Sequence, residues 1–373
     1  MAIQRLTTLE FLSRSSHGIL LDVRSPAEYA HAHMPGAVNM PLFNNEERKV
    51  VGTIYKQQSR EEAIKAGLDF FAPRMRGIIE RAEILSKEFI EQHKNENSGS
   101  RVEFFLYCWR GGMRSAAIAW LLDLYGYKVY VLAGGYKAFR NQVLESFNQP
   151  FPFKVIGGYT GSGKTEVLRE LQNRGEIIID LEAIACHKGS AFGGYKMPPQ
   201  PTQEMFENLL SMAVLKAVKS IKTTAGEGHA AFINREDQRS IWVEDESQRI
   251  GNLNLPNALW ETLRSSPIIF LEIPFEERLD HIMEEYGTYP KENLVDAIHR
   301  ISKRLGGQHA KHAIASIEEE NIKEAFRVLL VYYDKRYLKG LHNRKDLYAL
   351  LTTVACQKVT TSNAGLLSKH QSV

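Results

Sequence analysis

Tyr107-Cys108-Trp109-Arg110-Gly111-Gly112-Met113-Arg114-Ser115 decides how the first half of the chain is read. It follows the mostly apolar run from Val102 to Tyr107 and leads into a helix-like segment from Ser115 to Leu124. A cysteine on such a strand-to-helix turn lies in a ring of backbone N–H groups, at the positive end of the helix dipole. Arg110 and Arg114 add two guanidinium groups. These surroundings favour a thiolate and suit an anion, so Cys108 is expected to be a nucleophile in an oxyanion-sized cradle. Packing alone gives no reason for two glycines and two arginines beside a core cysteine.

Working outward, Thr7 or Thr8 can cap a short helix through Leu12, and Gly18 to Arg24 reads as a strand. Pro26 suits a first helical position, and a Pro35-Gly36 turn leads to a second short strand ending near Pro41. His31 and His33 flank that turn and are expected to be solvated or turn-bonded, not metal ligands. Phe43 to Arg76 is polar and reads as solvated helix faces, with a lid beside the cysteine loop as the alternative. Ile78 to His93 carries apolar residues at helical spacing. A loop (Asn95 to Ser100), the cysteine strand and helix, a strand from Lys128 to Leu132 and a helix from Gly134 to Phe147 complete the pattern. Alternating strands and helices indicate a parallel-sheet α/β domain.

Asn148-Gln149-Pro150-Phe151-Pro152 is a proline-stiffened junction, which divides the chain into domains 1–147 and 148–373. The strand Phe153 to Gly157 follows directly. Gly158-Tyr159-Thr160-Gly161-Ser162-Gly163-Lys164-Thr165 then matches G-x4-G-K-[ST] between that strand and a helix from Glu166 to Arg174. Gly158, Gly161, Ser162 and Gly163 let successive N–H groups turn toward phosphate oxygens. Lys164 adds charge, and Thr165 is placed to ligate Mg²⁺. Asp180 ends the next strand, where a water or metal would sit near the loop. Glu244 or Asp245, in the acidic run after the strand Ser240 to Val243, is a candidate second anchor of that kind, with a surface turn as the alternative. Arg304, at a basic helix end, is a candidate phosphate contact.

Elsewhere in this half, Ala230 to Asn234 and Pro267 to Pro274 read as strands, and Gln203 to Lys219 and Asn321 to Leu338 as packed helices. The strand–Pro–helix unit ending at Tyr286 resembles the nucleotide-kinase branch of P-loop folds, giving a P-loop NTPase/kinase-like α/β domain with a helical C-terminal part. Gln357 to Val373 is polar and expected to fray.

The totals set outer bounds. With 43% apolar and 24% charged residues over 373 positions, the chain has the composition of a globular protein with more than one core. A net charge of +3 neither demands nor forbids a nucleic-acid partner. Three scattered cysteines give no disulfide framework and no structural metal site, the adjacent Cys186 and His187 included, which points to a reducing, cytoplasmic setting. The N-terminus shows no secretory h-region, and no run reaches the ~18 apolar residues of a membrane span, so no membrane partner is expected.

Asp22-Val23-Arg24 with Glu28-Tyr29, His33-Met34-Pro35-Gly36-Ala37, the cysteine loop and Leu132-Ala133-Gly134-Gly135 come in one order that resembles the rhodanese domain over residues 8–140. The resemblance implies sulfur or selenium carried on Cys108 as a per-chalcogenide. Arg114 lies six positions after Cys108, however, and Cys-x5-Arg is also the spacing of the phosphatase branch of this fold. Loop length alone therefore leaves phosphate-monoester hydrolysis open, and either use suits a tetrahedral oxyanion.

The order of the two domains resembles the tRNA 2-selenouridine synthase family. Further segments carry the likeness: Val51 to Lys56, Asp180-Leu181-Glu182, Lys188 to Gly193, Glu244-Asp245-Glu246-Ser247 and Lys303 to Gly307. That resemblance implies the wobble uridine in the anticodon of certain tRNAs as substrate, geranyl diphosphate and selenophosphate as donors, and a selenophosphate supplier as a partner. Thiouridine would be S-geranylated with help from the P-loop and then selenated with help from Cys108, Arg110 and Arg114. Two other readings stand beside it. One is a Cys-x5-Arg phosphatase fused to a small-molecule kinase; the other is a nucleotide-switched RNA-binding module.

Overall fold

The computed structural model describes residues 3–93, 102–224 and 239–369. They fall into two compact units, Met1–Ser146 and Phe147–Val373. The first unit opens with β1 (Gln4–Leu6), α1 (Thr8–Ser15) and β2 (Ile19–Asp22). Thr7 and Glu10 form a reciprocal cap at the start of α1, each side chain accepting from the other's backbone N–H. Next come α2 (Pro26–His31), β3 (Val38–Asn39), α3 (Asn45–Gln57), α4 (Arg60–Phe71) and α5 (Met75–Gln92). The unit closes with β4 (Glu103–Tyr107), α6 (Met113–Leu124), β5 (Lys128–Leu132) and α7 (Gly135–Ser146).

Its five strands pair in parallel in the order β1-β5-β4-β2-β3. Central β4 is covered on both faces. Phe104 and Leu106 pack with Ala82 and Leu85 of α5 and Ile118 of α6, while Phe105 meets Phe11 of α1 with ring centroids 5.6 Å apart. Two-sided burial explains why this strand reads as a continuous apolar run. Parallel pairing also brings the C-terminal ends of β2, β3 and β4 to one edge, where Cys108 emerges. The polar stretch from Phe43 to Arg76 forms α3 and α4, each begun by a side-chain cap, Asn44 and Ser59 respectively.

The second unit begins with β6 (Phe153–Gly158), α8 (Lys164–Asn173), β7 (Ile177–Ile179), α9 (Leu181–Ala185) and α10 (Gln203–Thr224). After β8 (Ile241–Glu244), β9 (Arg249–Ile250) and β10 (Leu253–Asn254) form a small antiparallel ribbon. The chain continues through α11 (Asn257–Arg264), β11 (Ile268–Glu272), α12 (Phe275–Tyr286), α13 (Lys291–Leu305), α14 (Gly307–Glu318) and α15 (Ile322–His342). It ends with α16 (Leu347–Leu350), β12 (Leu351–Ala355) and α17 (Ala364–Lys369).

The main sheet is parallel throughout, in the order β12-β11-β6-β8-β7. The chain leaves β6 toward β7 and β8 and later returns to its other side as β11 and β12. The loop after β6 therefore lies where strand order reverses, the usual ligand position in such sheets. Helices α12 to α15 share their own apolar cluster, into which Phe192 inserts. No helix among the described residues is long and apolar enough to cross a membrane.

The C-terminal stretch does not fray as expected. Ala364 and Leu367 are fully buried in the cluster that holds Ile156, Val167 and Leu271. A few apolar side chains in a polar segment suffice, because each buried leucine contributes about 1.5–3 kcal/mol. The loop Asn95 to Ser100 and the strand expected at Ala230 to Asn234 lie outside the described residues.

Candidate functional sites

The first site is built on the end of β4. Cys108 is almost fully buried, and its Sγ accepts from the Gly112 N–H at 3.3 Å. The Ser115 Oγ also lies 3.3 Å from the sulfur and donates to the Gly112 carbonyl at 3.1 Å. A serine so placed accepts from the thiol, and by turning its hydroxyl it donates to the thiolate. The loop is closed by β5's exit: Tyr136 N–H donates to the Cys108 carbonyl at 2.8 Å and Lys137 N–H to the Trp109 carbonyl at 3.0 Å. Gly111 has φ +64°, and a Cβ there would stand 2.4 Å from the Leu132 carbonyl oxygen. Only glycine fits that turn.

The two loop arginines have different environments. Arg110 is exposed, with no ion pair among the described residues. Arg114 instead pairs with Glu28, Nη1 to Oε2 at 2.7 Å, and Arg48 approaches the same carboxylate at 3.8 Å. Burial pushes the Glu28 carboxyl up, but the bonds from Arg114 outweigh it and hold the group below its ordinary value. Arg114 is thus engaged in bracing the loop against α2 and does not stand free beside the sulfur. Arg60 of α4 reaches the Met113 sulfur, so α4 adjoins the cysteine loop. Trp109 and Met113, 39% and 49% exposed, are apolar residues that the same loop presents at the surface. An open cleft of about 550 Å³ between β3 and the start of α5 includes no residue of this loop.

The second site is the loop between β6 and α8. Its first-turn N–H groups have no intrahelical acceptors, as at any helix start. Lys164 Nζ folds back to the carbonyls of Gly158 and Tyr159, at 3.0 and 3.4 Å. Gly158 N–H donates to the Tyr337 hydroxyl at 3.1 Å, and Ser162 turns its hydroxyl to the Tyr159 carbonyl at 2.7 Å. Gly161 and Gly163 both adopt positive φ, which sets the curvature of the loop. Buried Arg278 binds the Thr160 carbonyl and pairs with Asp334 of α15 through both terminal nitrogens.

Beside Thr165 stands an acidic group that sequence reasoning only half identified. Thr165 Oγ1 is 2.9 Å from Glu244 Oε2 and 3.1 Å from Glu182 Oε2. Oxygens of Glu182, Glu244 and Glu246 lie within 4.8 Å of one another. At such distances two carboxylates repel by about 3–4 kcal/mol at an effective dielectric of 20. Burial raises the Glu182 carboxyl to about 7 against the pull of Lys164. Burial and then Glu182 raise Glu246 to about 8. Glu244 is pushed well above the carboxylate range by burial, then by Glu182 and Glu246.

Asp180 and Asp245 do not join this group. Asp180 caps α9 by accepting from Ala183 N–H at 2.8 Å, and Asp245 binds the Tyr337 hydroxyl at 2.8 Å and Arg344. Arg304 is exposed near the end of α13. The signal for Glu246 was present in the sequence. Alternation at a strand end sends Glu244 and Glu246 to one side and Asp245 to the other.

Comparison with known proteins gives a concordant picture. The family model described as the tRNA 2-selenouridine synthase AAA domain matches residues 151–361, and the rhodanese-like domain model matches residues 7–142. The tRNA 2-selenouridine synthase of Sulfurovum sp. (strain NBC37-1) is 38% identical over 353 residues, 87% of each chain. That of Hydrogenovibrio crunogenus is 36% identical over 349 residues, 85% of this chain and 88% of the relative. Among solved structures, the N-terminal domain of a putative ATP/GTP binding protein from Clostridium difficile 630 is 38% identical. It covers 38% of this chain and 99% of that one, with a TM-score of 0.32.

Proposed function

The chain belongs to the tRNA 2-selenouridine synthase family, and from that premise we propose that it converts 2-thiouridine at the tRNA wobble position to 2-selenouridine in two steps. The observation that carries this reading is the pairing, in one chain, of a thiol in an N–H-lined loop with a separate phosphate loop.

In the first step the thiocarbonyl sulfur attacks C1 of geranyl diphosphate. The C1–O bond breaks, diphosphate leaves with the electron pair, and the base gives up its N3 proton to leave neutral S-geranyl-2-thiouridine. Charge develops on the departing oxygen. Lys164, once released from the Gly158 and Tyr159 carbonyls, and the N–H groups of Gly161, Gly163 and the first turn of α8 are suited to receive it. A divalent ion such as Mg²⁺, when bound beside Thr165, would add Lewis-acid stabilisation. The hydroxyl of Thr165 and its carboxylate neighbours supply hard oxygen donors suited to such an ion.

In the second step selenium from selenophosphate replaces geranylthiol at C2, and water takes the phosphoryl group as phosphate. The selenium stays at the selenide level, held beside Cys108 without an S–Se bond, with Gly112 N–H and Ser115 Oγ stabilising negative charge on the chalcogen. Exposed Arg110 is free to meet the phosphoryl oxygens, while Arg114 holds the loop through Glu28. Trp109 and Met113 offer the base an apolar surface. A Cys-x5-Arg phosphatase is less well supported, since its arginine would have to break the Glu28 pair before binding substrate phosphate.

Mass analysis of nucleosides from thiolated tRNA, incubated with each donor in turn, tests the assignment. Lys164→Ala should lose geranylation. Cys108→Ser should still geranylate and should make no selenouridine. Selenouridine formed by Cys108→Ser at the parental rate would overturn the role given to the thiol.

A further inference from the structure

Glu182, Glu244 and Glu246 come from the start of α9, the end of β8 and the turn after it, and they converge on the Thr165 hydroxyl. Among the described residues no lysine, arginine or histidine forms an ion pair with any of the three. The neighbouring ammonium, Lys164 Nζ, is directed instead to the carbonyls of Gly158 and Tyr159. Glu244 is 1% exposed, yet its Oε1 has no hydrogen-bond partner. A buried carboxylate oxygen left unmatched is rare and costly. Thr165 adds a second constraint: its one hydroxyl hydrogen cannot serve Glu244 at 2.9 Å and Glu182 at 3.1 Å together. A positive charge placed among these oxygens removes both problems at once.

We infer that Glu182, Glu244 and Glu246, with the Thr165 hydroxyl, form a resident site for one hard divalent cation that fills before any phosphate-bearing ligand arrives. The donors are all oxygens, which suits Mg²⁺ or Mn²⁺ and offers zinc neither nitrogen nor sulfur. The number of carboxylates decides the order of binding. A P-loop site with one acidic side chain leaves the ion's charge to be matched by phosphates, so the ion enters with them. Three carboxylates match it without help. The inference stands on these side chains and does not depend on which diphosphate the loop receives.

Titrating the full-length protein with Mn²⁺, in the absence of tRNA, diphosphate and nucleotide, tests it by the electron paramagnetic resonance signal of free Mn²⁺. One ion should bind per chain and be displaced by Mg²⁺. Glu182→Gln and Glu246→Gln should each weaken binding by at least about tenfold, and Cys108→Ser should not. Glu244 lies deeper, so Glu244→Gln is to be read only where its melting curve matches the parent; half-buried Glu246 supplies the variant that keeps the test decisive. Binding that appears only when diphosphate is added would overturn the inference, as would Glu182→Gln and Glu246→Gln variants that bind like the parent. Because no donor substrate is present, a negative result leaves the geranylation assay untouched, and failure of geranylation leaves the metal titration untouched.

Discussion

At the scale of single residues, the cysteine loop shows how charge pairing assigns roles to chemically identical side chains. Arg110 and Arg114 look equivalent in sequence, and only Glu28, 86 residues from Arg114 along the chain, makes them different. The pair also gives a pH dependence. Glu28 is held below its ordinary value in the folded protein, so its contribution to stability is full above the unfolded carboxyl pKa and is lost as pH falls through the lower folded value. Glu28→Gln should therefore cost about 1 kcal/mol at pH 7. The difference should begin to shrink below about pH 4 and close only as pH falls past the lower folded value. Urea denaturation of both proteins at pH 7 and below that lower value checks this, and a gap that persists unchanged at acid pH would show that the ion pair is not its source. The acidic trio near Thr165 follows the same logic. Glu244 and Glu246 were legible as a pair from strand alternation, but Glu182 joins them only because β7 and β8 lie side by side.

Among the elements, α15 has the widest reach. Tyr337 takes the Gly158 N–H, Asp334 holds Arg278 against the Thr160 carbonyl, and Tyr333 accepts from Ala191 N–H in the glycine-rich segment. One helix thus reaches the start of that loop, directly at Gly158 and through Arg278 at Thr160, at a sequence separation of 179 residues between Gly158 and Tyr337. Periodicity marks α15 as a packed helix and is silent about those polar contacts, which depend on tertiary placement. Helix α17 acts similarly through packing. Leu367 is fully buried against the β6 and α8 cluster, and Val359 closes on Gly163. Leu367→Ala should destabilise the protein by about 2–5 kcal/mol. A shift in the urea midpoint with an unchanged slope is the expected result; no shift would mean that the tail contributes no core.

For the whole molecule, each unit contains its own parallel sheet, and among the described residues every strand pairing of the first unit lies within residues 4–132. Residues 1–146 expressed alone should therefore melt in one cooperative transition. A broad, non-cooperative melt with dye-binding apolar surface would contradict that independence. The amino-acid sequence by itself determined the two α/β units and the places of the loop cysteine and of the glycine-rich loop after β6, because those features rest on local rules: strand and helix periods, glycine at tight turns, and motifs that sit between a strand and a helix. It also carried the family likeness through short contiguous segments. Tertiary structure alone decided which charges are free. It paired Arg114 with Glu28, gave Asp245 to Tyr337 and Arg344, and brought three glutamates together beside Thr165. The reason is physical: whether an ionisable group is available for chemistry depends on neighbours brought by the sheet from distant parts of the chain, and no local period records them.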